Sequence, residues 1–156
     1  METRKIRRMP IRVATQSDIQ GWVQLRAQLW EDTSLDQHME EAKAMLAKSP
    51  QDCIVFLDVE DRGDLRAFAE GALRHDHVNG CDTSPVAFLE GIFVRPHSQG
   101  AGIGRRLVTS IQSWARERGC SELASDAHIG NLASHAFHRA SGFEETDRVV
   151  YFRKLL

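Results

Sequence analysis

The sequence contains little cysteine, only three residues that are widely spaced and odd in number. Cys53, Cys81 and Cys120 form no C-x-x-C pair, so nothing in their spacing indicates a zinc site. A set this small does not indicate a disulfide framework and is typical of a protein kept in a reducing compartment. We therefore expect a cytoplasmic protein whose thiols pack as small apolar side chains.

Long apolar runs and an excess of either charge are also absent. No stretch approaches the roughly 18 apolar residues that a membrane-spanning helix needs. Acidic and basic residues nearly balance, at 22 and 20, so the net charge of −2 gives no basic surface for general nucleic-acid binding. The basic start, Met1 to Arg8, lacks the apolar run of a signal peptide, and we expect a solvated tail there. These features favour one domain, residues 1–156, with no membrane or nucleic-acid partner.

Apolar periodicity predicts an α/β domain with the element order βααβββαβαβ. The predicted strands are Ile11–Ala14, Cys53–Val59, Leu65–Arg74, Val86–Val94, Ser121–Ala127 and Val149–Lys154. The predicted helices lie between Thr15 and Trp30, around Met39–Leu46, between Ile103 and Gly119, and over Asn131–Ala140. Thr15 and Asp18 have the spacing of a capping box at the start of the first helix.

A glycine-rich turn joins the strand Val86–Val94 to an amphipathic helix. Gly100, Gly102 and Gly104 stand at every second position, which lets the backbone curl and turn N–H groups inward. A helix start behind such a turn adds unpaired N–H groups and a positive dipole end, so the turn predicts an anion site, most often for phosphate. No Gly-Lys-Ser/Thr follows, which excludes a P-loop, and the position after several strands argues against a dinucleotide fingerprint.

These residues resemble those of a known family. A strand followed by Arg95-Pro96 and Gln99-x-x-Gly102-x-Gly104 resembles the acyl-CoA signature of the GCN5-related N-acetyltransferases (GNAT). Asn131-x-x-Ser134 and then Gly142-Phe143 resemble that family's second cofactor segment. The resemblance implies the GNAT fold, a central mixed but mostly antiparallel sheet flanked by about four helices. It also implies acetyl-CoA as co-substrate and no metal.

A narrower resemblance lies in the segments around that core. They are similar to the chromosomal type of aminoglycoside 6'-N-acetyltransferase at Arg74–Gly80, Phe88–Gly91, Leu123–Asp126 and Gly142–Thr146. Those enzymes acetylate an amino group of a polycationic aminosugar antibiotic and are usually dimers. The resemblance therefore implies direct acetyl transfer to the 6'-amino group of an aminoglycoside, antibiotic resistance, and a homodimer.

The resemblance also assigns cofactor contacts residue by residue. The expected cofactor-binding residues are Ile92, Phe93, Val94, Gln99, Gly100, Gly102, Gly104, Arg105, Asn131 and His138. Gly91 would interrupt its strand and free a backbone N–H for the thioester oxygen. His138 takes the place of the tyrosine that often reprotonates the CoA thiolate in the family, and a bystander role on the helix stays open.

Two carboxylates are the candidate catalytic bases. An amine attacks only when neutral, and Glu90 or Asp126 could accept its proton. Which of them is the base stays open, because an acid in a strand most often faces solvent. The expected substrate-binding residues are Trp30, His77, Glu90, Asp126 and Asp147. His77 stands where close relatives tend to carry tyrosine, and Asp147 stands where glutamate is more familiar.

Two other functions remain possible on this sequence. One is a GNAT acetyltransferase that acts on another amine, such as a polyamine or a protein N-terminus. The other is a non-catalytic acyl-CoA-binding sensor, which would need no acidic cleft. The seven histidines do not favour a metal site, because no thiol joins them at ligand spacing.

Overall fold

The computed structural model describes residues 11–156, and the expected tail at Met1 to Arg8 lies outside the described residues. The strands are β1 Ile11–Val13, β2 Cys53–Val59, β3 Leu65–Arg74, β4 Val86–Val94 and β5 Leu123–Ser125. The helices are α1 Ile19–Leu29, α2 Leu35–Lys48, α3 Ile103–Glu117 and α4 Leu132–Ala140, with 3-10 turns at Gln16–Asp18 and Pro96–Ser98. None of these helices is long and apolar enough to cross a membrane.

The strands form one sheet in the order β1-β2-β3-β4-β5, which confirms the predicted α/β architecture. The first four strands pair antiparallel, whereas β5 pairs parallel with β4. This parallel pairing ends at Leu89 and Ser125, although β4 continues to Val94. In the β3–β4 ladder Glu70 pairs with Gly91 and Gly71 pairs with Leu89, so Glu90 is an extra residue without a partner on β3. This bulge confirms the predicted interruption of the strand at Gly91.

Each face of the sheet is covered by its own helices. The apolar stripe of α3 packs on one face against alternate residues of β2, β3 and β4. The buried side chains of α1 and α2 pack on the other face. Ile54 and Val55 show the alternation directly, because successive strand residues point into the α3 core and into the α1–α2 core. β4 therefore has one core on each side of it.

The predicted final strand, Val149–Lys154, is wrong. The range 144–156 forms no helix or strand and its side chains are exposed, with Phe152 93% exposed. A strand forms only where a neighbouring edge supplies hydrogen bonds, and the chain after Phe143 does not pair with the edge of β5. We call the range 144–156 the exposed arm.

Asp18 closes the entrance to α1. Its carboxylate accepts hydrogen bonds from the Thr15 N–H at 2.7 Å and from two nitrogens of Arg12 at 2.7 and 2.8 Å. Arg12 first, and then the Thr15 bonds, lower the pKa of Asp18 to about 2, against the cost of burying the charge. The capping box expected from the spacing is therefore present and carries an ion pair as well.

We expect Asp18→Ala to lower the free energy of unfolding by about 1 kcal/mol at neutral pH, the usual cost of a lost helix cap. Because the folded pKa lies below the unfolded value, the stabilisation is complete above about pH 4 and disappears as the pH falls toward 2. Urea unfolding at several pH values measures the difference between the two proteins. The difference should shrink with acid, whereas Asp61→Ala, in the exposed β2–β3 turn, should change little at any pH.

Candidate active site

The glycine loop between β4 and α3 has the open form of an anion site. Gly100 and Gly102 adopt φ values of 85° and 78°, in the left-handed region that favours glycine. Gly102 is the N-cap of α3, and a Cβ on Gly100 would meet nothing within 4 Å. Gln99 fastens the loop to the strand by donating from Nε2 to the Val94 carbonyl at 3.1 Å. The free N–H groups of the first turn of α3 therefore lie beside an uncrowded backbone.

Gly104 contributes in a different way from the other two glycines. It is buried, and a Cβ at this position would lie 2.8 Å from the ring of Phe137 on α4. The missing side chain thus lets α4 pack against the start of α3. Asn131 is the N-cap of α4, and its side chain accepts a hydrogen bond from the Ser134 N–H at 3.1 Å. Arg105 is exposed beside the loop.

β4 has an unpaired backbone edge next to this loop. Beyond Leu89 and Ser125 no strand of residues 11–156 pairs with the outer edge of β4, which carries Ile92, Phe93 and Val94. Such an edge can hydrogen-bond an extended ligand as if it were another strand. The cofactor residues predicted on the strand and in the loop therefore lie along one continuous stretch of backbone.

His138 fastens α4 where the two strands part. Its Nδ1 lies 2.7 Å from the carbonyl oxygen of Ser134, and its Nε2 lies 2.8 Å from the hydroxyl of Ser125. A carbonyl oxygen only accepts, so Nδ1 carries a proton. The ring also packs edge-on against Phe143, with centroids 5.2 Å apart. The side chain thus reaches the end of β5, at the opening between the strands.

A pocket of about 700 Å³ lies on the other side of β4, between the end of α1, α2, the second half of β3 and Glu90 in the middle of β4. It brings together Trp30 and Glu90, two of the predicted substrate residues. The other three, His77, Asp126 and Asp147, are exposed and do not line it. Asp126 follows β5 directly and so stands where β4 and β5 part.

Gly91 makes room for the wall of this pocket. A Cβ at Gly91 would come within 2.4 Å of Cη2 of Trp30. The indole therefore packs directly on the strand backbone at Gly91, the residue that follows Glu90. Gly91 serves the site by its lack of a side chain as well as by its place beside the bulge.

The two candidate bases have different surroundings. Both carboxylate oxygens of Glu90 accept hydrogen bonds from Arg74 at 3.0 Å, and the Arg74 guanidinium stacks on the Phe88 ring at 3.5 Å. Asp126 is exposed and has no hydrogen-bond partner among residues 11–156. A cation that binds Glu90 must therefore compete with Arg74 for the carboxylate, whereas no arginine of the described chain pairs with Asp126.

A buried ion pair under the pocket was not predicted from the sequence. Arg26 and Glu70 are 4% and 2% exposed, and Trp22 Nε1 donates to the same Glu70 oxygen at 2.9 Å. Burial raises the pKa of Glu70, and Arg26 opposes that rise. A signal was present, because Trp22, Arg26 and Trp30 follow at four-residue spacing on one helix face. Glu70 is also a single charge within an apolar strand.

A cysteine also lines the pocket. Cys53 is 5% exposed, and its thiol donates to the Met45 carbonyl at 3.2 Å. Burial raises the pKa of this thiol. The described residues contain no group of three or more His, Cys, Asp or Glu side chains arranged to hold a metal ion.

A mixed sheet that opens beside a glycine loop, with a carboxylate-bearing pocket across the strand, is the arrangement of an acyl-CoA-dependent transferase. The model of the Acetyltransferase (GNAT) family matches residues 19–143, and the chain belongs to this family. The family and the fold expected from the sequence are thereby confirmed. The chain is an acetyltransferase by family, which confirms the expected class of enzyme.

Several characterised proteins are similar over nearly the whole chain. Aminoglycoside N(6')-acetyltransferase type 1 of Stenotrophomonas maltophilia is 50% identical over 143 residues, 92% of this chain and 91% of the relative. The enzyme of that name from Serratia marcescens is 43% identical over 144 residues, 92% of this chain and 97% of the relative.

Solved structures agree with these relatives. Aminoglycoside acetyltransferase AAC(6')-Iy, bound to the bisubstrate analogue CoA-S-monomethyl-acetylneamine, superposes with a TM-score of 0.88 at 40% identity, covering 94% of this chain and 97% of that chain. The apo 6'-N-acetyltransferase AAC(6')-IG from Acinetobacter haemolyticus gives a TM-score of 0.89 at 38% identity, covering 95% and 99%.

Proposed function

We propose that this protein transfers acetyl from acetyl-CoA to the 6'-amino group of aminoglycoside antibiotics and so confers resistance to them. The observation that carries the proposal is the 50% identity, across 92% of the chain, to an enzyme of that name. The pocket beside β4 supports it, because an indole wall and carboxylates suit a sugar that carries several ammonium groups. Glu41 and Asp52 add two further carboxylates to the lining of that pocket.

We assign acetyl-CoA to the loop and the open strand edge. Bound there, it supplies an acetyl thioester that a neutral amine can attack. The loop N–H groups and the exposed Arg105 suit its pyrophosphate, and the open edge of β4 suits its amide-bearing arm. The residues assigned to it are Ile92, Phe93, Val94, Gln99, Gly100, Gly102, Gly104, Arg105, Asn131 and His138.

We assign different roles to the two carboxylates. An aliphatic amine is mostly protonated at neutral pH, so the acceptor arrives as a cation and must lose a proton before it attacks. Glu90 binds the cation beside Trp30, where it shares its charge with Arg74. Asp126 has no arginine partner within the described chain and takes the proton. Trp30 is the apolar wall, and His77 and Asp147 contact the acceptor from the flanking loop and from the exposed arm.

The acceptor is tested by comparing aminoglycosides that differ at one position. CoA release should be rapid with compounds that carry a 6'-amino group, such as kanamycin. It should fall by at least roughly 100-fold with 6'-hydroxyl analogues, because the attacking nitrogen is missing. A thiol-reactive dye that follows free CoA measures both rates.

Other amines form the control series for that assay. Rapid turnover with a polyamine or a peptide N-terminus, and none with kanamycin, would point to an acetyltransferase of different specificity. Binding of acetyl-CoA without turnover on any amine would point to a sensor. Either result contradicts the proposal.

The roles of the two carboxylates predict different kinetic defects. Asp126→Asn should lower kcat by about 100-fold, within the range for a lost general base, and change KM little. Glu90→Gln should mainly raise KM for the aminoglycoside, by roughly fivefold, the size of an exposed ion pair. Steady-state rates at varied acceptor concentration separate the two effects.

Asp61→Asn, a carboxylate in the exposed β2–β3 turn, is the matched control and should behave as wild type. A larger loss of kcat in Glu90→Gln than in Asp126→Asn would reverse the assignment of the base.

We infer further that two copies assemble through the exposed arm. Five of its apolar side chains are at least three-quarters exposed: Val150, Tyr151, Phe152, Leu155 and Leu156. Soluble monomers rarely expose so continuous an apolar surface. β5 offers the complementary surface, since within residues 11–156 its outer edge pairs with no strand. The arm of one copy, added beside β5 of the other, would give a symmetric dimer.

Phe152→Asp should shift the protein from dimer to monomer, with the dissociation constant raised by at least about tenfold, because a charge replaces a central apolar anchor. Sedimentation analysis over a range of concentrations measures this. Leu132→Asp, at a 73% exposed position on α4, is the control and should remain dimeric. A wild-type monomer at every concentration, or a dimeric Phe152→Asp, would refute assembly through the arm.

A further inference from the structure

A buried charged cluster forms the floor of the pocket beside β4. Arg26 of α1 is held by Glu70 of β3, and the same guanidinium also pairs with Glu41 at the pocket rim. Glu70 in turn accepts a hydrogen bond from Trp22. Arg26 thus links the interior of the fold to the surface that an acceptor would meet.

This ion pair is an expensive way to fill a core. Removing an arginine and a glutamate from water is costly, and well-packed apolar side chains often stabilise a fold as well or better. Burial raises the pKa of Glu70 despite its partner, which reflects that cost. The pair therefore does more than fill the core, because Arg26 also contacts Trp30.

On its other side Arg26 holds Trp30. Its guanidinium stacks on the indole at 4.7 Å from the ring centroid, and its Nε donates to Nδ1 of His38 at 3.3 Å. Since Nδ1 accepts, Nε2 of His38 carries the ring proton and donates to the Trp30 carbonyl at 3.1 Å. The His38 ring also stacks on the indole, with 6.3 Å between centroids. Arg26 and His38 together contact both the side chain and the backbone of Trp30.

The helix holds only the backbone N–H of Trp30, which donates to the Arg26 carbonyl at 2.9 Å, so the position of the indole depends on side-chain contacts. Trp30 is the C-cap of α1, one residue beyond Leu29, with φ −118° and ψ 77°, outside the helical region. Its indole is held from below by Arg26 and faces Gly91 on β4, where any side chain would collide with it. The indole is therefore clamped next to Glu90.

We propose that Arg26, Glu70 and His38 are positioning residues for acceptor recognition, and that they act by locking the Trp30 indole as the wall on which the aminoglycoside ring stacks. The inference rests on the proposed function, because it assigns the acceptor to this pocket. It adds residues that make no contact with the reacting atoms and affect binding only through Trp30.

Arg26→Lys tests the proposal, since lysine keeps the charge but loses the planar fork and the stacking surface. We expect KM for the aminoglycoside to rise by about tenfold or more, while kcat and KM for acetyl-CoA stay within about twofold. Acrylamide quenching of Trp30 fluorescence, identified by difference with Trp30→Phe, should increase without any substrate present.

Arg66→Lys is the matched control, because Arg66 pairs with the fully buried Asp58 at 2.5 Å and lies outside the pocket. It should lose stability in the same way and leave KM unchanged. If Arg26→Lys does not fold, His38→Ala removes the ring that stacks on the indole and the donor to the Trp30 carbonyl, and it leaves the Arg26–Glu70 ion pair intact. It should show the same rise in KM and in quenching.

The outcomes separate this proposal from the proposed function. If wild-type protein acetylates no aminoglycoside, the proposed function fails, and with it the recognition role. If wild type is active and Arg26→Lys keeps the wild-type KM, only the positioning role is overturned. Unchanged quenching in Arg26→Lys would also overturn it, whatever the substrate.

Discussion

β4 and β5 pair over only three residues, Ala87–Leu89 with Leu123–Ser125, and the rest of the site depends on this early separation. Backbone N–H and C=O groups beyond that point have no neighbouring strand in the described chain, so they must find water or a ligand. The glycine loop and α3 follow directly from the open half of β4. The bulge at Glu90 lies directly after the last residue of β4 that pairs with β5, so the open strand edge and the pocket that Glu90 lines begin at the same point.

Two contacts between an aromatic ring and a glycine fix helices on both sides of the sheet next to the glycine loop and the pocket. Phe137 packs where Gly104 has no side chain, which holds α4 against the loop side of the sheet. Trp30 packs where Gly91 has no side chain, which holds the end of α1 against the opposite side of β4. In both places a Cβ would come within 3 Å of a ring. Glycine is required here by its size, whereas at Gly102 it is required by its backbone conformation.

The predictions succeeded where local periodicity reflects burial. The α3 stripe identifies a helix because it records one covered face, and the continuous apolar run of β2 identifies a strand that is covered on both faces. The pairing of Arg26 with Glu70 depends on which helix face meets which strand, and one-dimensional spacing does not contain that information. The prediction of the last strand was wrong for a related reason. An apolar run indicates a segment that can be buried, but it does not show which surface, of the same molecule or of another, would cover it. Trp30 and Glu90 were grouped by family resemblance rather than by spacing, and the pocket brings them together.

The thiol of Cys53 has a practical consequence. A cysteine that lines a substrate pocket is the usual first target for an electrophilic inhibitor. This thiol is buried, uses its hydrogen on the Met45 carbonyl, and has a raised pKa, so very little of the reactive thiolate exists at neutral pH. An electrophile would therefore react only slowly with Cys53. Inhibitors of this protein should instead exploit charge, with rigid cations that compete for the carboxylates at the pocket mouth.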